Sequence, residues 1–196
     1  MAPSRWPGVP TQSDEELLRS ARQGDDPAFR VLVERYEGQV AATVIGMLGP
    51  GDDAEDVGQE TFIRFYRAMG NYRGDAKLGT YITRIAINLS LKALKRRQTW
   101  VRRFVSRDDA ETLLAEPARD GVRDVEARTR AELVHRAIGA LKPDQRAVVV
   151  LRMLEGYSTR ETAEMLDVPQ GTVMSRLSRA LEKLEGLLGP QLGPEA

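Results

Sequence analysis

The sequence predicts an all-α fold of two small helical domains joined by a flexible linker, the second containing a helix-turn-helix. Three observations carry that expectation. Apolar residues recur at i, i+3, i+4 and i+7 through most of the chain, and no stretch sustains the period-2 alternation of a half-buried strand. The periodicity fades between Gln98 and about Asp124, where polar residues, Pro117 and Gly121 dominate. Beyond it, a short helix, a three-residue turn and a longer amphipathic helix follow in close succession. A chain of 196 residues has room for one ordinary domain or two small ones.

The first domain is placed at residues 13–98. Ser13-Asp14-Glu15-Glu16 is a capping-box start for a short helix through Leu17, Leu18 and Ala21. Gly24-Asp25-Asp26-Pro27 breaks it, and Pro27 suits the first turn of the next. That longer helix carries an apolar stripe of Phe29, Leu32, Val33, Tyr36, Val40, Val44 and Leu48, and Gly49-Pro50-Gly51 ends it. A third helix is expected from about Asp53 to Met69, then a loop, Gly70–Gly79, with three glycines. A fourth, about Thr80 to Arg97, has Ile82, Ile85, Ala86, Leu89 and Ala93 along one face. Residues 99–124 read as the linker, with at most a little helix around Asp109–Ala115.

The second domain is placed at residues 125–188. A helix runs to Leu141, breaks at Lys142-Pro143, and is followed by another from Asp144 to Leu154. After Glu155-Gly156-Tyr157 come helices Thr159–Leu166 and about Gln170–Leu188, separated by the turn Asp167-Val168-Pro169. Met1–Gln12, with Pro3, Pro7 and Pro10, reads as a disordered lead-in without the apolar core of a signal peptide. Gly189–Ala196, with Pro190 and Pro194, reads as a frayed tail.

Composition excludes several chemistries. There is no cysteine, so there can be no disulfide, thiolate metal site or cysteine nucleophile, and an intracellular setting is the default. His135 is the single histidine, in the helical pattern Ala131, Leu133, Val134, Ile138, Leu141, with no second His or Cys to complete a metal site. No run approaches the ~18 uncharged apolar residues of a membrane span. Charge is balanced overall but segregated along the chain. Gly51–Glu60 holds Asp52, Asp53, Glu55, Asp56 and Glu60 with no basic residue, whereas Arg73–Arg107 holds ten Lys/Arg against one acid, Asp75. Asp108–Glu132 swings back, with eight acids against four arginines. Segregation of this kind points to separate partner surfaces on one chain.

The last two helices have the chemistry of duplex readout. Val173, Leu177, Ala180, Leu181, Leu184 and Leu188 form an inward face on the second of them, and Thr172, Ser175, Arg176 and Arg179 an outward one. In a helix-turn-helix the N-terminal half of the second helix enters the major groove. Arginine forks onto guanine O6 and N7, and the hydroxyls reach phosphates or base edges. The alternative from this segment alone is a plain helical hairpin with a polar outer face.

Two sets of motifs then resemble one family. Ala140–Arg146 (ALKPDQR), Val150–Tyr157 (VLRMLEGY), Gly171–Leu177 (GTVMSRL) and Arg179–Leu184 (RALEKL) are similar to the C-terminal domain of extracytoplasmic-function (ECF, group IV) sigma factors of the sigma-70 family. Asp53–Phe62 (DAEDVGQETF) is similar to their core-binding helix. Tyr72–Ala76 (YRGDA) and Thr80–Ala86 (TYITRIA), with Asn88, are similar to their promoter-melting loop and following helix. The likeness covers about Asp14–Leu188 with the linker excepted. The order of the two sets makes it specific.

The resemblance implies a non-enzymatic, cytoplasmic initiation factor with no cofactor, metal or small-molecule substrate. It implies that Asp56, Gln59, Glu60, Ile63 and Arg64 dock on the coiled coil of the polymerase β′ subunit, with Val57, Phe62, Phe65, Tyr66 and Met69 left for the core. It assigns −10 recognition and melting to Asn71, Tyr72, Arg73, Tyr81, Arg84, Asn88, Lys92, Lys95 and Arg96. It assigns −35 readout to Thr172, Ser175, Arg176 and Arg179 while that domain rests on the β flap, and it implies an anti-sigma factor as regulator. No P-loop is present, so strand opening must draw on binding energy: stacking of ~1–3 kcal/mol per base offsets much of the unstacking cost. For Tyr72 and Tyr81 the alternative to base stacking is a place in the core. Three positions depart from the family's habit: Leu78 stands in place of an aromatic residue, Gly79 in place of a basic one, and Tyr81 in place of tryptophan.

Two rival functions are weighed against this one. A stand-alone helix-turn-helix activator leaves the Asp53–Met69 helix and the glycine loop unexplained. A metal-dependent enzyme would use Asp53, Asp56 and Glu60, which share a helix face, but nothing supplies it with a substrate pocket.

Overall fold

The computed structural model describes residues 12–104 and 125–192, and all regular structure among them is helical. Helices α1 (Asp14–Arg22), α2 (Asp26–Leu48), α3 (Asp52–Ala68) and α4 (Leu78–Phe104) form the first unit, with a 3-10 turn at Met69–Asn71 after α3. The second comprises α5 (Val125–Gly139), α6 (Pro143–Val149), a π-helical turn (Val150–Leu154), α7 (Thr159–Leu166) and α8 (Gln170–Leu192). The all-helical class and the helix-turn-helix are as the sequence predicts.

Local chemistry starts the helices where it should. The Ser13 hydroxyl accepts from the Glu16 amide at 3.3 Å, and the Glu16 carboxylate accepts from the Ser13 amide at 2.8 Å, closing a capping box. A second capping box opens α7, where Ser158 and Glu161 satisfy each other's amides. Both Glu16 and Glu161 are held below the usual carboxylate range by these hydrogen bonds to Ser13 and Ser158. Asp25 caps α2 from the side-chain oxygen to the Ala28 amide, with Pro27 in the first turn.

Three boundaries differ from expectation. Helix α4 runs to Phe104, taking in residues 99–104 that the sequence assigns to the linker; no glycine or proline stands between Gly79 and Pro117 to stop it. Helix α8 continues to Leu192, past Pro190. The helix expected from Asp144 to Leu154 changes to π geometry at Val150, where the Glu155 amide bonds back to the Val150 carbonyl, five residues earlier. Residues 105–124, the expected short helix at Asp109–Ala115 among them, lie outside the described residues, as do residues 1–11 and 193–196.

The first unit closes on Leu17, Leu32, Val40, Val44, Phe65, Ile82 and Ala86. The second packs α8 through Val173 and Ala180 against Val148, Val149, Leu141 and Ala163. Leu181, expected inside, is exposed, because the face of α8 that meets α6 is narrower than the apolar count suggests. A further apolar cluster belongs to both units: Met47, Ile87 and Leu94 of the first pack with Ala147, Val150, Leu151, Tyr157 and Met165 of the second. The two units therefore touch, which a reading of two domains joined only by a linker does not anticipate.

Candidate nucleic-acid and polymerase interface

Helix α3 divides cleanly. Ala54, Thr61 and Phe65 face the core, and Phe65 is 0% exposed. Thr61 tolerates burial by donating its hydroxyl to the Val57 carbonyl at 2.7 Å. On the opposite side Asp56, Gln59 and Arg64 are exposed, Glu60 is half-buried, and Ile63 keeps 45% exposure. Arg64 pairs with Glu60 at 2.7 Å, a helix-surface bridge worth about 0.3–0.5 kcal/mol. Tyr66 corrects the expected core set: it is 43% exposed, its ring set edge-on against Phe29 at 4.8 Å. The α3 face is thus acidic with an apolar centre of Ile63 and Tyr66, the composition of a protein-binding patch.

The loop after α3 is held by a residue that sequence reasoning missed. Arg22, in the last turn of α1, donates to the Met69 carbonyl at 2.9 and 2.7 Å and to the Tyr72 carbonyl at 2.5 Å. Its one sequence signal is a basic residue at a helix C-terminus. The Tyr72 hydroxyl donates to the Ala76 carbonyl, folding the loop on itself, and Gly74 supplies the positive φ of +84° at its tip. Gly79 serves close approach: a Cβ there would lie 2.9 Å from the Tyr36 ring and 3.0 Å from Gln39 Oε1. Tyr36 in turn donates to Asp14, and burial together with that bond raises its phenol well above the usual range.

Tyr72 and Tyr81 stack neither in the open nor deep in the core. Both are half-buried, their rings 5.1 Å apart, and Tyr81 also meets Phe65 edge-on at 6.4 Å. Asn71 and Arg73 are exposed beside them. From there Arg84, Asn88, Lys92 and Lys95 follow at i, i+4, i+8 and i+11 on α4, all exposed, with Arg96 next to them. The stripe is about 16 Å long at 1.5 Å per residue. Cations at that spacing suit successive phosphates of a nucleic-acid strand.

In the second unit the turn Asp167-Val168-Pro169 puts Asp167 in the left-handed region at φ +53° and starts α8 with Gln170 and Gly171 exposed. Arg179 is exposed. Thr172 and Ser175 are half-buried, and the Ser175 hydroxyl donates to the Thr172 carbonyl at 3.1 Å. Arg176 is not free on the outer face as expected: it turns toward α6 and pairs with Asp144 at 3.3 Å. Met174, which the sequence did not single out, is the most exposed large apolar residue at the start of α8.

Residues 32–107 match the family model for sigma-70 region 2, and residues 131–184 that for sigma-70 region 4. The RNA polymerase sigma-H factor of Pseudomonas aeruginosa is 35% identical over 192 residues, spanning 92% of this chain and 96% of that one. This chain belongs to the ECF sigma factors. As a sigma factor it directs RNA polymerase to promoters, and the family is non-enzymatic. The ECF RNA polymerase sigma-E factor of Escherichia coli K12 is 36% identical over 186 residues, 91% of this chain and 95% of that one. Among solved structures, CnrH in complex with the cytosolic domain of CnrY aligns with a TM-score of 0.64 and 26% identity, covering 92% of this chain and 99% of CnrH. RpoE from Bartonella quintana, in complex with the anti-sigma factor NepR, shares the fold at a TM-score of 0.62 and 23% identity, over 83% of this chain and 98% of that one. Among the described residues no helix is long and apolar enough to cross a membrane, and no cluster of His, Asp or Glu is placed to hold a metal ion.

Proposed function

We propose that the three surfaces of this sigma factor divide the work of initiation. The α3 face (Asp56, Gln59, Glu60, Ile63, Arg64) docks on the β′ coiled coil. The loop and α4 stripe (Asn71, Tyr72, Arg73, Tyr81, Arg84, Asn88, Lys92, Lys95, Arg96) take and hold melted −10 DNA. Residues Thr172, Ser175, Arg176 and Arg179 read the −35 duplex, their domain resting on the β flap. The observation that carries this reading is the continuity of the first unit: one helix pair presents an acidic face on α3 and a basic stripe on α4, joined by a loop where Tyr72 meets Tyr81 of α4 at a tilt, both half-buried. Residues 13–98 and 125–188 act as the two functional domains, and the connection between them runs through the polymerase cleft. The protein works in the cytoplasm, and an anti-sigma factor is its regulator.

Purified protein added to core polymerase should give promoter-specific run-off transcripts that core enzyme alone does not. A protein that protects promoter DNA without core enzyme, and adds nothing to core enzyme, would instead be a stand-alone activator. Docking has its own test. Asp56→Lys or Glu60→Lys should weaken retention by core polymerase in a native pull-down, with an unchanged circular dichroism spectrum because Asp56 is exposed and Glu60 loses only a helix-surface bridge to Arg64. Full retention of both variants would place the docking surface elsewhere.

A further inference from the structure

In a helix-turn-helix the first half of the second helix supplies the side chains that reach base edges. On α8 the structure turns part of the expected outward set aside. Thr172 and Ser175 are half-buried, the Ser175 hydroxyl donates to the Thr172 carbonyl at 3.1 Å, and Arg176 pairs with Asp144 at 3.3 Å. Gly171, Met174 and Ser178 are exposed, and so is Arg179. At about 100° per residue the first three fall within about 60° of one another around the helix, with Arg179 on their flank. The open face is thus rotated by about a third of a turn from the one that the spacing of Thr172, Ser175, Arg176 and Arg179 suggests.

Met174 is the one large apolar side chain exposed between Gln170 and Arg179, at 56%. A single exposed methionine is ordinary on a protein surface. Its position gives this one a use. Its sulfur accepts from the Thr159 hydroxyl at 3.8 Å, which ties it to the first residue of α7 while the rest of the side chain stays open to solvent. A Cβ on Gly171, one turn earlier, would meet nothing within 4 Å. The first turn of α8 stands clear of the chain at that point, and bare backbone there allows close approach to DNA.

The major groove offers one apolar feature to such a side chain. Thymine carries its C5-methyl group there, whereas cytosine presents the N4 amino donor. A methionine laid against the methyl removes both apolar surfaces from water. Laid against cytosine, it would cover a donor that it cannot satisfy. The unbranched, polarisable thioether adapts its rotamers to the groove. The discrimination is modest, on the order of fourfold for one methyl group taken out of water. It is also of a kind that neither an arginine nor a hydroxyl supplies.

We infer, on the −35 assignment of α8 proposed above, that Met174 reads one thymine of that element through its 5-methyl group and sets a preference for A·T at that position. Gly171 and Ser178 border the contact, and Arg179 on the flank stays available for a guanine.

Deoxyuridine lacks only that methyl group. Holoenzyme formed with the full chain is titrated at fixed salt onto the promoter of the run-off assay, with each thymine of the −35 region, on either strand, replaced in turn by deoxyuridine. One replacement should weaken binding by the unsubstituted chain about fourfold. It should have no effect with Met174→Gln, which keeps the length of the side chain but not its apolar end. Met174→Leu should retain the sensitivity to the methyl. Sensitivity at no position, or equal sensitivity with Met174→Gln, would overturn the thymine contact. So would a Met174→Gln holoenzyme that binds thymine and deoxyuridine promoters equally less well than the unsubstituted one while the latter ignores the methyl, a result that assigns Met174 to a protein partner. The −35 assignment is read apart from this. Transversions across the element should weaken binding by the unsubstituted holoenzyme whether or not Met174 contributes, and indifference to all of them would remove α8 from the duplex.

Discussion

Phe65→Ala is expected to cost about 3–5 kcal/mol of stability, the range for deleting a fully buried phenylalanine whose site cannot collapse. Phe65 has no exposed surface, stacks on Phe29 with ring centroids 5.9 Å apart, and supports Tyr81 edge-on. Each such ring pair adds about 0.5–1.5 kcal/mol beyond area burial. For a unit of this size the loss lowers the melting temperature by more than about 10 °C, which thermal unfolding followed by circular dichroism would measure. The functional consequence follows from position. Phe65 lies behind the proposed docking face of α3 and under the Tyr81 ring beside the loop proposed to hold −10 DNA, so on that proposal one deletion should weaken both polymerase retention and promoter opening. Tyr66→Ala, one residue on, removes a 43% exposed ring and should leave the melting temperature nearly unchanged. Equal destabilisation by the two would mean that α3 is rotated from the orientation described.

That contrast shows where sequence reading succeeds and where it stops. Apolar periodicity identified α3 and its outward set Asp56, Gln59, Glu60, Ile63 and Arg64, because a helix with one buried face writes that face into its spacing. It assigned Tyr66 wrongly because an aromatic at the edge of the stripe can cover a neighbouring ring from outside. Helices α2 and α4 were harder. Each buries two faces: Val40 and Val44 of α2 lie in the first unit's core, and Met47 lies in the cluster shared with the second; Ile82 and Ala86 of α4 lie in the first, and Ile87 and Leu94 in the shared one. The second face is masked by small polar residues that bury their hydroxyls on the carbonyl four residues back, as Thr43 does on Gln39 and Ser90 on Ala86. Periodicity says that a face is covered but not by what. The same limit hid Arg22 and the Arg176–Asp144 pair, since both depend on what lies across the fold.

The arginines of α8 carry the last expectation. Arg179→Ala should weaken promoter binding by about 1–3 kcal/mol and relax preference at a single −35 position, if its guanidinium forks onto a guanine. Arg176→Ala should produce a loss of similar size by a route that the ion pair with Asp144 makes separable. A partly exposed pair of this kind is worth about 0–1 kcal/mol, so a base contact can outcompete it when α8 enters the groove. Asp144→Asn should then leave promoter affinity equal or slightly higher, because it frees the guanidinium without removing it. If instead Arg176 only braces α8 against α6, Asp144→Asn and Arg176→Ala should weaken all sequences alike and lower the melting temperature together. Binding of holoenzyme to a set of −35 point variants, measured at fixed salt because phosphate contacts make affinity steeply salt-dependent, separates the two outcomes. Normal transcription by both arginine variants from a promoter lacking activators would remove α8 from −35 readout altogether.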